Sequence, residues 1–324
     1  MITRGQPWAL VLAAGEGTRL RGLTTTKSGL TVPKQYCSLD AGPSLLDEAL
    51  MRAEAIAPPR RVLTVVARQH RRWWAGPLCS LPLANVIVQP HNKGTAVGLL
   101  LPLLHIYRRD PDAILIVLPS DHFVRREDLL TQALRRGIAF AGAAHRHVHL
   151  LGIAPEQIDP ELGYIVPAAR KARASSVIRF VEKPSLDTAR HLIAEGALLN
   201  MFIMAASARA LLSLYLRRHP ELVARLERAL EQDGPQVDEG SAVSQLYPSL
   251  PTLDFSRDLL EGQEDVLRAL VVPDCGWSDL GTPRRVAETL TRFPDPPQSR
   301  PFIRGRAYLS LSQQQSAGGS PAHA

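Results

Sequence analysis

Seven apolar residues in unbroken succession, Trp8 to Ala14, run straight into Gly15-Glu16-Gly17-Thr18-Arg19-Leu20. A strand with no polar face has to be covered on both sides, which points to a parallel sheet sandwiched by helices. Similar short runs recur at Arg61–Ala67, Asn85–Gln89 and Ala113–Leu118. Between them the period changes to that of helices. Ser44–Ala57 carries Leu45, Leu46, Ala49, Leu50, Ala53 and Ile56, with Ser44 as N-cap and Asp47 as an acidic first-turn residue. Thr95–Tyr107 reads as a helix that Pro102 should kink or interrupt, and Glu127–Phe140 as another. Such alternation predicts right-handed βαβ units, an α/β fold and a mostly parallel sheet whose ligands lie beyond the carboxyl ends of the strands. Gly15–Arg19 and Ser120–His122 would then share one sheet edge.

The second half is less regular. His147–Ile153, Gly163–Val166, Val177–Glu182, Leu198–Ala206 and Leu267–Val272 read as strands. Thr188–Glu195, Ala208–His219, Glu221–Glu231 and Pro283–Arg292 read as helices, with a break at Pro220. From Ser310 the chain is rich in Ser, Gln, Gly and Ala, the composition of a disordered tail over 310–324. No internal repeat is visible.

Lys and Arg outnumber Asp and Glu by 38 to 31, a balance suited to an anionic ligand. The excess is spread along helices and forms no dense basic block. With 5% aromatic residues, nucleic-acid binding and stacking platforms are not expected. Three widely spaced cysteines, Cys37, Cys79 and Cys275, fit a reducing compartment without a disulfide framework or structural zinc. The start of the chain lacks the order of a signal peptide, and no apolar stretch is long enough to span a bilayer. The expectation is a cytoplasmic protein with no membrane partner.

Several residues carry chemistry in combination. Gly15 and Gly17, after a buried strand, let backbone N–H groups of the loop through Thr18 cradle an anion, and Arg19 adds a bidentate cation. The spacing is neither G-x-G-x-x-G nor a P-loop, so a different phosphate loop is implied. Lys34, in Val32-Pro33-Lys34-Gln35, ends a Thr/Gly/Ser-rich loop suited to closing over a triphosphate. Asp121, just past a buried strand, and Asp279, in Trp277-Ser278-Asp279-Leu280-Gly281, are the two candidate Mg²⁺ carboxylates. Alone, each reads equally as a turn or capping aspartate. Lys183 could face the phosphate of a second substrate. Glu182 could accept from sugar hydroxyls, with Gly163 and Asn200 as further sugar candidates. His145, His147 and His149 alternate along one strand face, a spacing too wide to close around one small ion unaided.

Taken together, G-E-G-T-R-L, V-P-K-Q, Gln89-Pro90-His91-Asn92-Lys93-Gly94-Thr95-Ala96, L-P-S-D-H, F-V-E-K-P and W-S-D-L-G resemble the sugar-1-phosphate nucleotidyltransferase family from Trp8 to about Leu290. The similarity is greatest to bacterial mannose-1-phosphate guanylyltransferases. The resemblance implies a Rossmann-like sheet with an inserted sugar-binding lobe. It implies one domain over residues 1–309, with a nucleotide-binding part at about 1–145 and a sugar-binding part at about 146–309. The reaction implied is NTP + sugar-1-phosphate → NDP-sugar + pyrophosphate, with GTP and mannose-1-phosphate as the substrates. By the same resemblance, Arg19 and Lys34 neutralise phosphates and Lys183 holds the sugar phosphate. Asp121 and Asp279 bind Mg²⁺. Glu182, Gly163 and Asn200 contact the sugar, and Gln89, Gly94 and Thr95 belong to the nucleotide site. A homodimer is left open.

The chain also departs from the family pattern. The family segment W-N-S-G-M-F is Leu199-Asn200-Met201-Phe202-Ile203-Met204 here, an altered sugar pocket. Lys93–Gly98 replaces R-G-T-A-P-A, and Leu259 stands where a glutamate five residues after Asp254 is usual. The isomerase-linked cupin module of longer relatives has no room in 324 residues. Two alternatives remain: the same chemistry with UTP, dTTP or CTP, and a catalytically weak paralogue that binds nucleotide-sugar and regulates a partner.

Overall fold

The computed structural model describes residues 6–39, 42–169, 172, 174–233 and 240–294. The tail expected at 310–324 lies outside the described residues.

The first strands form as their apolar runs require. β1 (Trp8–Ala13), β2 (Val62–Ala67), β3 (Val86–Gln89) and β4 (Ile114–Pro119) lie parallel in the order β3-β2-β1-β4. Successive residues of β1 face opposite layers. Leu10 packs with Leu63, Leu115 and the helix Gly94–Arg109, whereas Ala9 and Val11 pack with Ile116 and the helix Leu45–Glu54. Ser44 caps that second helix in a reciprocal box with Asp47.

The helix Gly94–Arg109 runs through Pro102, against the expected interruption. Every residue from Ala96 to Ile106 is buried, so tertiary packing outweighs the missing backbone bond. Pro220 acts as expected: one helix ends at Arg218 and the next, Pro220–Gln232, takes the proline at its first position.

Beyond β4 the sheet is not mostly parallel. β5 (Phe123–Val124) stands apart from it. β6 (Val148–Ile153), β7 (Gly163–Pro167), β8 (Ala174–Glu182), β9 (Leu198–Ser207) and β10 (Leu267–Val272) extend the same sheet in the order β4-β9-β6-β10-β8-β7. Of their pairings only β6–β10 is parallel; β4–β9, β6–β9, β8–β10, β7–β8 and β7–β9 are antiparallel. The fold is therefore α/β with one mixed sheet of nine strands among the described residues. The second half adds to that sheet instead of forming a sheet of its own.

The antiparallel turn has a functional consequence. It brings the start of β9, the start of β7 and the end of β8 to the edge where β1, β3 and β4 end. A two-stranded ribbon completes that edge: β11 (Trp277–Ser278) pairs antiparallel with β5, Trp277 opposite Val124 and Ser278 opposite Phe123.

Candidate active site

A cleft of about 500 Å³ opens along this edge. Twelve of the expected residues line it: Gly15, Gly17, Arg19, Gln89, Gly94, Thr95, Asp121, Gly163, Glu182, Lys183, Asn200 and Asp279. Thr18 and Lys34 do not. Thr18 is exposed at the start of a helical turn, and Lys34 is buried just beneath the lining.

The phosphate loop is shaped by packing. Gly17 sits at φ 61°, and a side chain there would come within 3.0 Å of the Lys34 backbone nitrogen. Gln35 holds the loop to β1 by donating from Nε2 to the carbonyls of Ala13 (3.1 Å) and Gly15 (2.9 Å). The Thr/Gly/Ser segment before Lys34 is a compact hairpin, with a bridge between Thr25 and Thr31. Arg19 Nη1 lies 3.1 Å from Glu161 across the cleft mouth, both side chains about half exposed. Gly94, at φ 79°, is required by the chain crossing over it: a Cβ there would collide with the carbonyl oxygen of Leu253. Thr95 Oγ1 accepts the Phe255 N–H at 2.7 Å. Gln89, at the end of β3, donates to the His91 carbonyl at 2.7 Å.

The β5–β11 ribbon joins two motifs that lie far apart in the chain. It sets Asp279 beside His122 and Asp121, and Lys34 sits between them. Lys34 Nζ donates to the Asp279 carbonyl at 2.5 Å and lies 3.0 Å from Asp121 Oδ2. Burial would raise the Asp121 carboxyl, but the Lys34 ammonium and neighbouring donors overcome it and hold the group below the usual carboxylate range. His122 accepts the Trp277 Nε1–H on Nδ1 at 3.2 Å, and burial pushes its pKa down to about 4. It is thus neutral at pH 7, with its proton on the Nε2 that faces Asp121.

The Asp279 carboxylate folds back over Gly281 toward Arg285. Arg285 Nε lies 3.1 Å from Asp279 Oδ1, and Arg285 Nη1 donates to Asp159 Oδ2 at 2.7 Å, all three side chains being nearly buried. The Nε contact is an ion pair without hydrogen-bond alignment, so Asp279 Oδ1 remains a buried carboxylate oxygen with no hydrogen-bond donor. Behind Asp279, Arg285 lines a second cavity of about 250 Å³. The two carboxylates on this wall are thus each already paired with a cation, Asp121 with Lys34 and Asp279 with Arg285.

The opposite wall comes from β7, β8 and β9. Gly163 pairs with Glu182, and a side chain on Gly163 would meet Glu182 Oε2 at 2.5 Å and Asn200 Cβ at 3.4 Å. The glycine thus makes room for both sugar candidates. Burial, then the Asp254 charge, raises the Glu182 pKa to about 7 against the pull of Lys183, whose Nζ is 3.7 Å away. Lys183 takes φ 48° and Phe202 φ 54°, left-handed conformations that cost non-glycine residues on the order of 1–3 kcal/mol each. Asn200 Oδ1 accepts the Phe202 N–H at 3.1 Å.

The alternating histidines serve other ends. His149 is buried and stacks on Phe140, its pKa pushed down to about 4 by burial, and His147 Nε2 contacts Arg268 at 2.7 Å. No cluster of three or more metal-ligating side chains occurs among the described residues. Two cleft residues, Glu161 and Ser256, carry no signal in the sequence, and Gln35 and Asp254 enter it only as neighbours of Lys34 and Leu259, whereas Phe202 lies in the altered sugar segment. His122 enters the sequence reading only as the end of the Ser120–His122 segment at the sheet edge. Only its place in L-P-S-D-H and the neighbouring lysine in V-P-K-Q offered a signal for His122 and Gln35.

A sheet edge that gathers a glycine loop, two lysines, an arginine and two carboxylates defines a phosphate-handling α/β protein. The chain belongs to the nucleotidyl transferase family, whose pattern it matches over residues 8–293. It is 30% identical over 288 residues to mannose-1-phosphate guanylyltransferase ManC of Salmonella typhimurium, covering 85% of this chain and 58% of that protein. The mannose-1-phosphate guanylyltransferase of Escherichia coli K12 is also 30% identical, covering 87% and 59%. So is the xanthan biosynthesis protein XanB of Xanthomonas campestris strain B100, covering 84% and 57%. The chain spans less than two thirds of the length of these relatives. Among solved structures, a protein described as a mannose-1-phosphate geranyltransferase from Thermus thermophilus superposes with a TM-score of 0.76 at 26% identity, covering 89% of this chain and 80% of that one. A Helicobacter pylori protein described as a mannose-6-phosphate isomerase shares the fold, with a TM-score of 0.65 at 20% identity over 84% of this chain and 99% of that one. No described helix is long and apolar enough to cross a membrane.

Proposed function

We propose that this chain transfers a guanylyl group from GTP to mannose-1-phosphate, giving GDP-mannose and pyrophosphate. The observation that carries the reading is the meeting of Lys34, Asp121 and Asp279 at one end of a cleft whose opposite wall presents Glu182, Lys183 and Asn200. The relatives named above support the choice of base and sugar.

A phosphate oxygen of the sugar-1-phosphate attacks the α-phosphorus in line, the α–β bridging P–O bond breaks, and pyrophosphate leaves with that electron pair. The protein needs no nucleophile of its own, because positioning and charge stabilisation do most of the work in such transfers. Arg19 and Lys34 neutralise the α-phosphate and the leaving pyrophosphate. Lys183 holds the sugar phosphate, while Glu182 and Asn200 orient the sugar. Gly15 and Gly17 let the loop backbone approach the phosphates, with Thr18 in the same turn, and Gln89, Gly94 and Thr95 border the nucleotide. Asp121 and Asp279 would hold Mg²⁺, which when bound offsets phosphate charge and orients the triphosphate.

Pyrophosphate release tests this directly, in a grid of GTP, UTP, dTTP, CTP and ATP against mannose-, glucose-, galactose- and fucose-1-phosphate with Mg²⁺. Activity confined to GTP and mannose-1-phosphate is the expected outcome. Activity with another pair keeps the chemistry and replaces the substrates. A silent grid with a thermal shift from nucleotide-sugar supports the regulatory reading, which the Met201–Phe202 segment favours.

A further inference from the structure

One part of the cleft wall is built in a way that the transfer chemistry does not itself require. β9 carries two extra residues, Met201 and Phe202, opposite a single step of β6, where the pairing passes from Leu151 with Ile203 to Gly152 with Asn200. Met201 is swallowed by the core, whereas Phe202 turns out to line the cleft. It does so in the left-handed region, at φ 54°, where a bulky side chain is disfavoured. Its N–H is fixed by Asn200, one of the sugar candidates. Its ring meets Phe255 edge to face with centroids 6.1 Å apart. Phe255 is itself fully buried and tied through its N–H to Thr95. Phe255 therefore backs the ring from the core side. A strained aromatic residue persists only where its surroundings over-determine it, and such residues cluster at ligand clamps.

We propose that Phe202 is a specificity-determining residue: its ring is the rigid apolar wall against which the sugar-1-phosphate seats, and its shape decides which pyranose substituents fit. The proposal rests on the transfer reading above. A single steric group in a pocket discriminates by about 10–200-fold.

The test is kcat/KM with GTP for mannose-, glucose-, galactose- and fucose-1-phosphate in the wild type and in Phe202→Gly, Phe202→Asn and Phe202→Leu. Glycine and asparagine accept the left-handed backbone and remove the ring, whereas leucine keeps most of the bulk. The preference for the best sugar over the next should fall at least tenfold in the first two variants and persist in the third, with the KM for GTP changed less than twofold. A preference that survives loss of the ring, an equal effect in all three variants, a wild type without preference, or a shift in base selectivity overturns the proposal. If the wild type transfers no nucleotide to any of the four, the transfer reading fails separately. Calorimetric binding of the same sugar phosphates then decides: levelled affinities in Phe202→Gly and Phe202→Asn support the wall, and an unchanged ranking or no binding ends it.

Discussion

The two walls of the cleft reach a left-handed backbone by opposite means. On the wall built from β1, β3 and β4, glycine supplies it, at Gly17 and Gly94. On the opposite wall, built from β7, β8 and β9, it falls on Lys183 and Phe202. The first wall is main chain at the ends of parallel strands, and small residues let it approach phosphate at little conformational cost. The second is made of side chains at the ends of antiparallel strands, where strain places a charge or a ring at a chosen point. In the proposed reading the first wall meets the polyphosphate, which is common to every nucleotide, and can be generic; the second meets the sugar, which varies, and is correspondingly particular.

Five substitutions probe this contrast. The largest effect is expected behind the cleft. Arg285→Ala leaves Asp159 and Asp279 buried without their cation and should cost about 3–5 kcal/mol in urea unfolding. A loss below about 1 kcal/mol would show that Asp279 is not held from behind. Next, Lys34→Ala should lower kcat by about 10²–10³-fold, the usual cost of one preorganised charge, with near-native circular dichroism. Unchanged turnover would remove Lys34 from the chemistry.

Glu182 gives a pH signature on the sugar side. Its folded pKa, about 7, lies above the ordinary 4.5, so the folded state binds the proton more tightly than the unfolded chain. Stability contributed by this group is then lost as pH rises from about 4.5 through 7. At pH 8 Glu182→Gln should exceed the wild type by up to about 3 kcal/mol relative to their difference at pH 4, read from paired urea melts. A pH-independent difference would mean that the carboxyl titrates normally.

Gly163→Ala drives a methyl group into Glu182 Oε2 and should raise the KM for sugar phosphate about tenfold while leaving that for GTP alone. Equal changes in both constants would dissolve the distinction between the walls. The smallest effect belongs to the exposed Arg19–Glu161 pair, where Glu161→Gln should change stability by less than about 1 kcal/mol. A larger loss would mark the pair as a structural strut across the cleft mouth.

Local pattern made much of the molecule readable. The apolar runs of β1 to β4, the capping box at Ser44 and Asp47, and the break at Pro220 depend on residues within a turn or two of one another. The chemistry-bearing residue types were equally visible, because a phosphate loop, single carboxylates and isolated lysines are matters of identity and short spacing, whereas the grouping of Asp121 with Asp279 came from the family resemblance. Tertiary structure alone decided how they meet. Strand periodicity carries no partner or direction, so the antiparallel continuation of the sheet was hidden. The ribbon that sets Asp279 beside Asp121 is two residues long on each strand, too short for any periodic signal. Arg285 lies on a helix with the look of a surface helix, and only the fold buries it between two aspartates. Sequence determined which groups the protein has to work with. The long-range closure of the chain, driven by burying both faces of one sheet, decided which of them share a charge.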